Sequence, residues 1–159
     1  MSNIKYIVIH DTEGPTAQSA ASWFTNPASE GSAHLVVDDN VCYRTLANDI
    51  IPWAAPPLNE TGFHIEIAGY ANWSKLTWYR YFHRIRRAAY KAAWHCHLFK
   101  VPVRWVDVKG LEAGEHGITS HRAISAAFKQ STHTDPGPHF PYQMFMFFVK
   151  RYYRSIKRV

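Results

Sequence analysis

The chain has 159 residues, 47% hydrophobic and 19% charged, and its 18 Lys and Arg against 12 Asp and Glu give a formal net charge of +6. That length suits one soluble domain burying roughly two-thirds of its unfolded surface, and no apolar run approaches the roughly 20 residues of a spanning helix. Two cysteines, Cys42 and Cys96, are too few for a disulfide framework or a thiolate zinc site, so free thiols are expected. The excess of cations favours an anionic partner such as nucleic acid, a membrane surface or an acidic wall polymer, or serves solubility alone. Ten histidines matter more, because histidine is the commonest metal ligand and the usual proton carrier near neutral pH.

Ile4 to His10 is β-branched and aromatic on both alternating faces, which predicts a central strand covered on both sides. Ile4, Tyr6, Val8 and His10 share one face, and Asp11 to Pro15 ends the strand. His10 is thus placed at the carboxyl end of a buried strand, where open α/β sheets bind ligands, or it merely caps that end. The short apolar run ending at Asp11 is not a secretory signal, so synthesis in the cytoplasm is expected. Thr16 predicts a capped helix to Phe24, with Ala20, Trp23 and Phe24 on its apolar side. Residues 33–37 and 41–46 form a hairpin turning at Asp38-Asp39-Asn40, with His34 at the start of its first strand, facing a site.

Pro52 to Glu60 reads as a loop that walls a groove and exposes Trp53. In the strand 63–67, Phe63, Ile65 and Ile67 take one face and His64 and Glu66 the other. A carboxylate in an otherwise apolar strand needs a partner or a raised pKa. Ser74 to Lys100 predicts one long helix with an apolar stripe from Phe82 to Phe99 and a basic stripe of Arg80, Arg84, Arg87 and Lys91, read as a solvated face. His95 and His97, two apart on that helix, point about 200° away from each other and cannot hold one ion. Val101 to Val106 reads as a strand, Lys109 to Gly117 as a loop, and Pro141 opens a last helix ending in Arg151, Arg154, Lys157 and Arg158.

Ser120 to Pro138 gathers His121, His133 and Asp135 around a short amphipathic segment closed by Asp-Pro-Gly-Pro. Two imidazoles and a carboxylate leave the fourth tetrahedral position of Zn²⁺ to water, as in catalytic sites, and His10, His121 and Asp135 are the candidate set. Ligands this distant in sequence leave no local signature, so residue chemistry admits the site without fixing it.

Five blocks in order, Ile-Val-Ile-His at 7–10, Ser-Ala-His-Leu-Val-Val-Asp at 32–38, His-Ile-Glu-Ile-Ala-Gly at 64–69, Gly-Ile-Thr-Ser-His at 117–121 and Thr-His-Thr-Asp-Pro-Gly-Pro at 132–138, resemble the type 2 N-acetylmuramoyl-L-alanine amidases. That family also contains peptidoglycan recognition proteins, and the likeness is nearest to bacteriophage endolysin amidase domains. The resemblance implies an α/β fold with a mixed central sheet flanked by helices, one Zn²⁺ in a surface groove, and cleavage of the amide between N-acetylmuramic acid and L-alanine. It places the metal ligands at His10, His121 and Asp135 and the general base at Glu66. His133 stands where many relatives have lysine, in an oxyanion role, and Ala33 where some have tyrosine. His34, Trp53 and His64 are the substrate-binding candidates, and His139 lines the groove.

The implied protein is a monomeric phage lysis enzyme, a single catalytic domain over 1–159, made in the host cytoplasm and acting on the wall after release. Peptidoglycan is its partner, with anionic wall polymers or lipid held by the basic helices and no nucleic acid. The alternative is a non-catalytic peptidoglycan-binding module on the same fold.

Overall fold

The structure, a computed structural model, describes residues 3–158. Its centre is a mixed sheet in the order β3-β2-β4-β1-β5. The strands are β1 Tyr6–Asp11, β2 Leu35–Val37, β3 Cys42–Arg44, β4 Gly62–Ile67 and β5 Gly117–Ser120. β1 runs parallel to both β4 and β5, β2 is parallel to β4, and only the β2–β3 hairpin is antiparallel. Every residue of β1 and β4 is buried, as expected for strands covered on both faces.

The helices are α1 Ala17–Phe24, α2 Lys75–Arg80, α3 Phe82–Phe99, α4 Val108–Glu112, α5 His121–Phe128 and α6 Tyr142–Ile156. On one side of the sheet Ile7, Ile9, Phe63, Ile65 and Ile118 pack with Ile85, Ala89 and Ala92 of α3 and Phe145 and Val149 of α6. The opposite face of β1 presents Tyr6 and Val8 to Leu111 of α4 and Ile124 of α5, and Val36 meets Ala17 and Ala20 of α1. By alternation, His10 and Glu66 belong to this second face. Thr16 caps α1 and Ser74 caps α2 through their side chains, as predicted.

The long helix predicted over 74–100 is broken at Tyr81, whose ψ of 34° is not helical. Trp78 and Arg84 are both buried, yet on a straight helix residues six apart point about 120° apart. The break lets Trp78 enter the core while Arg84 turns to Asp39. The basic stripe is accordingly not a uniformly solvated face. Arg84 pairs with the Asp39 carboxylate and donates to the Ala68 carbonyl, and Arg87 donates to the carbonyls of Asp38 and Asp39 at 3.0 and 2.9 Å.

Residues 101–106 are not a strand. Pro102 lacks a donor, Arg104 N–H turns back to the Pro102 carbonyl at 2.9 Å, and the segment's backbone pairs with β5 through an isolated Trp105–Ile118 bridge. The loop expected from Lys109 begins instead inside α4, which Asp107 caps by accepting from Gly110 N–H. Cys42 and Cys96 are free thiols.

Candidate metal centre and groove

The site lies at the carboxyl ends of the parallel strands, beside the central strand β1. In the β1–β4 register His10 stands directly opposite Glu66. β5 ends at Ser120, which caps α5 by accepting from Ala123 N–H, so His121 is the first residue of that helix. The loop carrying Asp135 is tied back to it, since Arg122 N–H donates to the Asp135 carbonyl at 2.9 Å. Gly137, at φ +88°, lies so close to the Ala71 carbonyl that a Cβ would collide with it, and this turn accepts only glycine.

His10 Nδ1 lies 3.0 Å from Asp135 Oδ2, and His121 Nδ1 lies 3.2 Å from Asp135 Oδ1. One ligand atom from each of the three fits within 4.8 Å of the others, and all three residues are buried. Atoms bonded to one Zn²⁺ at ~2.0–2.2 Å sit roughly 3.4 Å apart at the tetrahedral angle, so the set fits that ion. The outer ring nitrogens are also engaged, His10 Nε2 with His64 Nδ1 at 3.0 Å and His121 Nε2 with Ser131 Oγ at 3.3 Å. Such outer contacts orient ligating imidazoles.

The carboxylates behave differently from one another. Burial pushes Asp135 up, but hydrogen bonds from His10, His121 and His133 outweigh it and hold the group well below the usual range. Glu66 is pushed well above its ordinary value by burial and then by the charges of Asp135 and Asp11. Its Oε1 is 3.9 Å from His10 Nδ1 and its Oε2 has no hydrogen-bond partner. Burial pushes Asp11 to about 7, with the Glu13 N–H opposing and Asp135 and Glu13 adding to the rise. His10 is lowered by burial against the pull of Asp135.

A groove of about 1150 Å³ runs over these residues, and Trp23, Glu30, Trp53 and His133 also line it. His133 exposes 66% of its side chain, with Nδ1 3.5 Å from Asp135 Oδ1, and its ring stacks on His121 at 4.3 Å. Its pKa is raised, first by the hydrogen bond to Asp135. Trp53 is 63% exposed on the groove wall, where the loop reading put it.

His34 and His64 are not groove residues; both are 0% exposed. His34 stacks on Phe63 at 4.3 Å and its Nε2 meets the Ile50 carbonyl at 3.1 Å. His64 sits beneath His10. His139 is exposed but is absent from the groove lining. Asp11 and Ser131 belong to the site and were missed. Asp11 read only as a strand terminator, although its adjacency to His10 was a usable signal, and nothing around Ser131 marked it.

The sequence matches the family model for N-acetylmuramoyl-L-alanine amidase over residues 1–138. No curated protein matches the chain. Among solved structures it is similar to Staphylococcus aureus hydrolase AmiA in complex with its ligand, at 20% identity and TM-score 0.79, covering 98% of this chain and 76% of that one. The catalytic domain of XlyA aligns at 18% identity and TM-score 0.67, covering 92% and 86%. The endolysin amidase LysCS from Clostridium intestinale aligns at 13% and 0.65, covering 93% and 84%. These identities establish a shared fold, while the family model spans the whole site from β1 to the Asp135 turn. On that match the chain belongs to the N-acetylmuramoyl-L-alanine amidase family.

Proposed function

We propose that the protein is a zinc-dependent hydrolase that cleaves the amide between the lactyl group of N-acetylmuramic acid and L-alanine in peptidoglycan, in the service of phage lysis. The observation that carries this reading is Glu66, a buried carboxylate with an unpartnered oxygen, 3.9 Å from a nitrogen of a buried His-His-Asp set. His10, His121 and Asp135 would hold the ion, which when bound supplies Lewis acidity and a water acidified toward neutrality.

Glu66 takes the proton of the attacking water and passes it to the leaving amine nitrogen, a task matched to a carboxylate whose pKa burial raises. His133 directs Nδ1 at Asp135, which leaves Nε2–H to donate to the carbonyl oxygen as charge develops there. Trp53 and Trp23, 63% and 51% exposed on the groove, offer flat apolar faces to the substrate. Peptidoglycan recognition without cleavage would require neither Glu66 nor three competent ligands, and the intact set supports the enzyme. The exposed cations of α6 are proposed to hold the protein to an anionic polymer or lipid surface at the wall.

The test is release of L-alanine amino termini from purified peptidoglycan by zinc-loaded wild type and Glu66→Gln, with metal content measured on both. The variant is expected to lose about 10²–10⁴-fold in kcat while retaining its zinc. Equal turnover by the variant removes Glu66 from the proton transfer, and no cleavage by zinc-loaded wild type sinks the enzyme reading.

A further inference from the structure

We propose that His64 is a positioning residue for His10, the middle of a buried relay that fixes the proton on His10 Nε2 and leaves the Nδ1 lone pair for the metal. The proposal rests on the reading that His10, His121 and Asp135 hold zinc. His64 is fully buried and lies outside the groove, so a substrate does not reach it.

Its ring makes two contacts. Nε2 lies 3.4 Å from the Leu58 carbonyl and Nδ1 lies 3.0 Å from His10 Nε2. A carbonyl oxygen only accepts, so the His64 proton belongs on Nε2. A neutral His64 then has a bare Nδ1, and His10 must donate to it from Nε2. The lone pair of His10 is then on Nδ1, 3.0 Å from Asp135 Oδ2, which is the arrangement a metal ion bound between them requires; without the ion that nitrogen donates to the carboxylate instead.

The surroundings hold the relay rigidly. His34 Nδ1 accepts from His64 N–H at 3.0 Å, and His34 N–H donates to the His64 carbonyl at 3.1 Å, so the backbone of His64 is clamped on both sides. At Gly62 a Cβ would come within 2.5 Å of His64 Nε2 and 2.7 Å of the Leu58 carbonyl, so the absent side chain leaves room for the outer contact.

The experiment compares wild type, His64→Leu, His64→Asn and Gly62→Ala. Zinc affinity is measured by competition with a chromophoric chelator, and histidine tautomers by ¹⁵N NMR on zinc-free and zinc-loaded protein. His64→Leu removes the acceptor and is expected to weaken zinc binding about 10–100-fold. His64→Asn returns an acceptor oxygen near the place of Nδ1 and restores affinity close to wild type, and Gly62→Ala falls between. In zinc-loaded wild type His10 carries its proton on Nε2. An unprotonated His10 Nε2 in zinc-loaded wild type, or wild-type zinc affinity in His64→Leu, overturns the relay. A wild type that binds no zinc defeats the zinc reading itself, and the relay with it. If His64→Leu does not fold, the wild-type tautomer and the His64→Asn affinity still decide.

Discussion

Asp135 and Glu66 are buried carboxylates that both face His10 Nδ1, at 3.0 and 3.9 Å, and their surroundings drive them in opposite directions. Three imidazoles face Asp135 and keep it ionised, whereas Glu66 meets burial and two like charges. That division fits the roles proposed for them, Asp135 as a metal ligand and Glu66 as a proton carrier. His133 gives the pH signature. Asp135 raises its pKa, so its cationic form persists past its ordinary value and activity falls as pH rises through the raised one. A pH–rate profile of His133→Lys should extend the active range upward, and an unchanged profile removes His133 from a charged role. The histidines also show what sequence could and could not reveal. Alternation correctly put His64 on the face of Glu66, but it carries no measure of depth. His64 lies three residues inside the strand end, beneath His10, and outside the groove. His34 precedes its strand by one residue and stacks on Phe63, a contact set by the β2–β4 pairing that no local pattern encodes.

Among the elements, the β2–β3 turn is the joint between the site side and the helical side. Asp38 accepts from Asn40, Val41 and Ala17 N–H groups at 2.8, 2.9 and 2.9 Å, fixing the turn and the start of α1. Burial raises its pKa, but these bonds prevail and its net shift is downward. A depressed carboxylate contributes stability above its unfolded pKa and loses it as pH falls through the folded one. Denaturant titration should find Asp38→Ala less stable by about 2 kcal/mol at pH 7, with the gap closing as pH falls below about 4. Its neighbour Asp39 binds Arg84 at the start of α3, where a carboxylate also favours the helix dipole. Arg84→Ala leaves that pair broken and should cost about 3 kcal/mol. Equal stability of wild type and variant would return Arg84 to the solvated stripe. Periodicity recorded the helical character of 75–99 correctly and could not show the break at Tyr81, because Asp39, 45 residues away, supplies the competing bond.

Across the whole molecule charge is segregated. Asp11, Glu13, Glu30, Glu66 and Asp135 line the groove, whereas α2, α3 and α6 contain no Asp or Glu. The groove lies toward the second face of the sheet and α3 and α6 cover the first, so cations on α6 can engage an anionic surface without blocking substrate. Substituting Lys150, Arg151 and Arg154 with glutamine should reduce retention on anionic wall material or vesicles at low salt and leave turnover of a soluble muropeptide unaltered. Retention that does not change assigns those cations to solubility. The fold class was legible in the sequence because β1 is apolar on both faces, β4 alternates and the helical stripes are long, whereas the proposed metal set came from the family resemblance, since Asp135 stands in the loop between α5 and α6 with no local signature. The 101–112 region was misread because its pairing depends on the edge of β5.

The central claim is tested most directly by mass spectrometry of the products from a purified muramoyl-peptide treated with zinc-loaded protein and with chelator-stripped protein. The account predicts a glycan ending in a free lactyl carboxylate and an intact peptide beginning with L-alanine, formed only with zinc. Cleavage at any other bond, or equal cleavage after the metal is stripped, would contradict it.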